Sequence, residues 1–71
     1  MMNANSTSWD ELVAAAQRVA QMKVIVAGYR ERIAELKACG RPTFDEDQTL
    51  EVLLSSLELF EDYEKGIRAA V

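Results

Sequence analysis

The chain has 71 residues, a formal net charge of −4 and no histidine, and 49% of its residues are hydrophobic. A chain this short forms one small domain, which buries a modest share of its surface and usually needs a disulfide, a metal or a second chain to be robust. Cys39 is the only cysteine, so an internal disulfide is excluded, and without histidine or a cysteine cluster no cofactor or metal is expected.

Self-association or another protein remains as the source of further burial. The acidic balance disfavours nucleic acid, which calls for a positive field. The N-terminus lacks the basic start and apolar core of a signal peptide, and a free thiol suits a reducing compartment. The longest fully apolar run, Val24 to Gly28, is far below the roughly 20 residues that cross a bilayer. A cytoplasmic protein with no membrane association is the expectation.

In chain order, residues 1–7 are small and polar and read as a disordered N-terminus. Ser8-Trp9-Asp10-Glu11 has the form of a capping box, in which hydroxyl and carboxylate satisfy exposed backbone donors reciprocally. It opens a first helix over about 8–39. Along that helix Leu12, Ala15, Val19, Met22, Val26, Tyr29, Ile33 and Leu36 alternate four-three, the register of a helix packed lengthwise against another. Around Met22 to Ala27 the helix is apolar nearly all round, which predicts burial from several directions.

Gly40 and Pro42 end this helix. The turn spans 40–43, and Thr43-Phe44-Asp45-Glu46 forms a second capping box. A second helix follows over about 44–69, with the ladder Leu50, Leu53, Leu57, Phe60 and Ile67 and one polar break at Glu64. So short a turn doubles the chain back as an antiparallel hairpin.

Charge supports the pairing. Residues 1–43 hold six basic and four acidic side chains (+2), whereas residues 44–71 hold two basic and eight acidic (−6). Centring the turn on Arg41 sets Lys23 near Glu61 and Lys37 near Glu46.

More apolar surface exists than one hairpin covers. Val52, Leu59 and Tyr63 stand beside the second ladder, Leu54 lies on its other flank, and Val13, Ala20, Ala27 and Ala34 form a row along the first helix. The fold class expected is therefore all-α, an antiparallel two-helix hairpin over 8–71 that dimerises into a four-helix bundle.

Catalytic templates are mostly absent. Ser-His and Cys-His pairs cannot form without histidine. Asp45 to Thr49 resembles the start of a calcium loop, but Leu50 stands where glycine is needed and Ser56 where glutamate is needed. No enzyme is expected.

What remains are surfaces. Trp9, Val24, Ile25, Arg41, Phe44, Leu59 and Tyr63 are candidates for contact with a partner protein. Trp9 either caps the bundle against Ile67 and Val71 or stands as an exposed anchor, and Phe44 either staples the second helix or projects from the turn. Tyr29 and Tyr63 read as core residues with the hydroxyl at the rim. Arg18, Lys23, Arg30 and Arg32 are candidates for an anion site. No acidic residue interrupts 14–30, and two such stretches in a dimer could converge on a phosphorylated ligand or RNA. The alternative is ion pairing with the acidic second helix.

The layout resembles small helical-hairpin dimers of the plasmid-copy-number RNA-binding kind. Its length and hairpin form, with the pattern Val52-Leu53, Leu57, Phe60, Tyr63, are similar to phage-encoded host-takeover proteins: quorum-sensing anti-activators and cyclic-dinucleotide sponges. That resemblance implies a non-enzymatic inhibitor of a host protein or an oligomeric sponge for a cyclic nucleotide.

Overall fold

The computed structural model describes residues 4–70, with side chains from Trp9 onward. It consists of two helices, α1 (Ala4–Ala38, 35 residues) and α2 (Phe44–Ala70, 27 residues), packed as an antiparallel hairpin 59 Å long.

α1 starts at Ala4, not Ser8. The expected disorder of residues 1–7 therefore does not hold for 4–7, and residues 1–3 lie outside the described residues. Once a long helix exists, each added N-terminal residue costs only propagation, and Ala, Asn, Ser and Thr all tolerate it. Ser8 consequently sits inside the helix, where its backbone cannot form the expected cap. α1 exceeds α2 by eight residues (35 − 27), about 12 Å at 1.5 Å per residue. Because the turn holds the other ends together, this excess lies at the start of α1.

The turn is closed by backbone chemistry. Gly40 has φ +71°, the left-handed conformation that glycine adopts without a Cβ penalty. Arg41 N–H donates to Leu36 O at 2.9 Å and Gly40 N–H to Lys37 O at 3.0 Å, the paired bonds of a Schellman motif. Pro42 then prevents continuation, and α2 begins at Phe44. Thr43 is buried, and its hydroxyl donates to Asp47 Oδ2 at 3.0 Å. The acidic partner of this cap is thus Asp47, one residue beyond the expected Glu46.

All eight residues of the α1 ladder are buried or half-buried, with Ala15, Val19, Val26 and Ile33 the most enclosed. From Thr43 in the turn the same spacing runs on through Glu46, Leu50, Leu53, Leu57, Phe60, Glu64 and Ile67 of α2, none of them exposed. Glu64 interrupts this seam without being stranded, because Arg68 one turn later bonds its carboxylate. No glycine other than Gly40 has positive φ, and neither Gly28 nor Gly66 would bring an added Cβ within 4 Å of another group. Among the described residues no helix is long and apolar enough to cross a membrane.

Candidate interaction surfaces

A seam between two helices leaves two flanks. On α1 the residues just after the ladder positions Ala15, Met22, Tyr29 and Leu36 are Ala16, Lys23, Arg30 and Lys37. Those just before Val19, Val26 and Ile33 are Arg18, Ile25 and Arg32. The two sets lie on opposite sides of the seam, because successive helical residues are about 100° apart.

Contacts with α2 fix which side is which. Lys23 Nζ lies 4.0 Å from Glu61, the expected pair, and this places Glu61 and its row-mates Asp47, Leu54 and Arg68 on the first flank. Lys37 does not reach Glu46. Glu46 instead lines an open groove on the second flank, together with Ile25, Gly28, Tyr29, Arg32, Asp45 and Thr49.

The four candidate anion-binding residues are therefore split. Arg18 and Arg32 stand on the groove flank, and Lys23 and Arg30 on the other, all exposed. A single hairpin does not bring them together. Arg18 and Arg32 are 14 residues apart, about 21 Å along the helix. The groove holds about 490 Å³ and is lined by Arg32 together with Asp45 and Glu46, so it presents both signs of charge. Among the described residues, no group of three or more His, Cys, Asp or Glu side chains is placed to hold a metal ion.

All seven partner-contact candidates are exposed, in four places. Ile25, Leu59 and Tyr63 share the groove flank. Tyr63 directly precedes the seam residue Glu64, as Thr49 precedes Leu50. Leu59 and Val52 repeat at sevenfold spacing from Asp45, which lines the groove. By helix periodicity these four apolar side chains fall on one flank, Ile25 on the α1 side and Val52, Leu59 and Tyr63 on the α2 side. Phe44 and Arg41 project at the turn end. Trp9 lies on the part of α1 that extends past α2, and Val24 faces directly away from the seam.

Two expectations fail here, together with one of the two readings of Trp9. Trp9 is 57% exposed and caps nothing among the described residues, because the excess length of α1 carries it past the end of α2; Val71, its other expected contact, lies outside them. Tyr63 is 56% exposed and is not a core residue, whereas Tyr29 is half-buried in the seam. The stretch Met22 to Ala27 is covered on one side only, at Met22 and Val26, with Val24 and Ile25 open. In each case the ladder spends one stripe of the helix on α2 and leaves the remaining stripes without a neighbour. The half-buried Ser56 and Glu46 were missed as seam-side positions, although continuing the four-three spacing back from Leu50 reaches Glu46 and then Thr43.

Comparison with family models, with curated proteins and with solved structures finds no match.

Proposed function

We propose that this chain is a non-enzymatic cytoplasmic regulator or inhibitor that binds a partner protein through helix faces of an oligomeric hairpin. The observation that supports it is the set of large apolar side chains left open: Trp9, Val13, Val24, Ile25, Phe44, Val52, Leu59 and Tyr63. Scattered apolar residues are ordinary on a surface, but a contiguous strip and an exposed tryptophan are what binding surfaces present. The resemblance in length and hairpin form to phage host-takeover proteins points the same way.

Affinity capture from native host extract, followed by calorimetric titration of each captured protein, tests the proposal. The expected result is one partner whose binding has a negative heat-capacity change and is weakened at least fivefold by Trp9→Ala or Phe44→Ala. Capture of no protein, or affinities untouched by every substitution at the open apolar positions, overturns it. Binding of a phosphorylated small ligand or RNA draws its support from Arg18 and Arg32, which face one flank. A thermal shift with cyclic dinucleotides at low salt that Arg32→Ala abolishes would favour it instead.

A further inference from the structure

The groove flank has an occupant whose chemistry the hairpin itself specifies. The strip Ile25, Val52, Leu59 and Tyr63 is apolar at its centre, and Arg18 and Arg32 bracket Ile25 seven residues to either side. α2 carries eight acidic and two basic side chains, and α1 four acidic and five basic. The net charges are −6 and +1, so each helix is the electrostatic complement of the other and not of itself. α2 has no buried residue, and only four apolar side chains of the hairpin are buried among the described residues. A domain so thinly covered needs further burial from outside itself.

We propose that a second copy of this chain covers this flank, with each α1 lying lengthwise along the α2 of the other copy and both turns at the same end of the bundle. This rests on the oligomeric hairpin of the preceding proposal and specifies its geometry.

Two twofold arrangements bring the flanks face to face. If the axis crosses the helices, α1 lies antiparallel on the other α1. A dyad at Ile25 then sets Arg18 of one copy level with Arg32 of the other, twice, inside a closing interface. The acidic α2 helices are likewise stacked together. Like charges brought together out of water are strongly unfavourable. If the axis runs along the bundle, α1 faces the opposite α2 and every neighbour is antiparallel. Ile25 then meets the gap between Val52 and Leu59 of the second copy. Arg18 comes level with Asp62 and Tyr63, and Arg32 with Asp45 and Thr49. Gly28 and Ser56 leave room for Val52 and Ile25 of the opposite copy. The same apolar strip is buried either way, so charge decides the orientation.

Cys39, exposed at the end of α1, reports on this directly as the only thiol. A nitroxide attached to it gives a spin–spin distance by pulsed electron resonance on the full chain. With both turns at one end, the labels sit across one bundle end, about 15–25 Å apart for neighbouring helix axes 8–10 Å apart plus the label arms. With turns at opposite ends, Cys39 lies 14 residues from a dyad at Ile25, and the separation is about 40 Å. The short distance is expected, with a light-scattering mass of two chains. The Leu59→Glu variant should abolish the coupling and give one chain, while Gln17→Glu, exposed on the face away from the seam, should keep both readouts.

A distance near 40 Å, a wild-type mass of one chain, or a Leu59→Glu dimer whose helix content and coupling are unchanged overturns the proposal. A monomeric wild type that still captures a host protein would sink this geometry and leave partner binding standing. A dimer of the expected geometry that captures none would do the reverse.

Discussion

The two helices meet along the same four-three seam but are not equally finished by it. α1 buries Ala15, Val19, Val26 and Ile33, whereas no residue of α2 is buried. The difference follows from side-chain size. The four buried residues of the α1 seam are an alanine and three β-branched residues, short enough for longer side chains to close over, whereas Leu12, Met22, Tyr29 and Leu36 of the same seam are half-buried. The α2 seam consists largely of Leu50, Leu53, Leu57, Phe60 and Ile67, which reach across α1 and leave their own outer faces open. α1 is covered by its partner helix, but α2 is not. The apolar strip beside α2 is the surface that the α1 of the proposed second copy would cover.

The sharpest way to break the asymmetry is to place a charge at its covered centre. Val26→Asp leaves an unpaired carboxylate in the seam and should cost at least about 3 kcal/mol. For a hairpin this small that means loss of the helical circular dichroism signal at 25 °C. A helical, cooperatively melting Val26→Asp variant would show that the seam is not the core.

Truncation sharpens the comparison next. Ile33→Ala should cost about 2–4 kcal/mol, the usual range for a buried isoleucine, and Leu57→Ala less, because its side chain is already half-open. Chemical denaturation of both variants checks the order. A larger loss at Leu57 would mean that α2 is covered by something beyond α1, and a loss growing on dilution would identify that cover as a second copy. Gly40→Ala, at φ +71°, should cost about 1 kcal/mol through the Cβ penalty of left-handed backbone. A neutral result would show that the turn relaxes. The smallest effect belongs to the first flank. Lys23→Gln removes an exposed ion pair at 4.0 Å and should cost no more than about 1 kcal/mol, less at high salt.

Much of this architecture was legible in the sequence because it rests on spacing. The α1 ladder is the set of covered residues, Gly40 is the left-handed residue, and Lys23 meets Glu61. These features follow from helix periodicity and from a turn too short to allow any other pairing. The start of α1 was misread because a capping motif identifies where a helix can begin and does not stop one from extending further. For Trp9 the sequence leaves capping against Ile67 and an exposed position both open, because no residue encodes the relative length of the helices. The candidate surfaces were legible as residues and not as groupings. Arg18 and Lys23 look like neighbours in sequence, yet five residues turn the helix by about 140°, which sends them to opposite flanks. Which flank faces which part of α2 emerges only from the Lys23–Glu61 contact and from the groove that Arg32 and α2 line together.

The extra reach of α1 has a practical consequence for how this protein is watched. Its single tryptophan, Trp9, sits beyond the end of α2 and is already open to water. Indole emission should therefore barely change when the two helices part, and a fluorescence melt would call the protein structureless while its backbone was still helical. The optical reporter built into the seam is Tyr29, so helix opening will be visible in tyrosine absorbance and in the far ultraviolet. A tryptophan signal that does respond will report arrival of a partner at the projecting end.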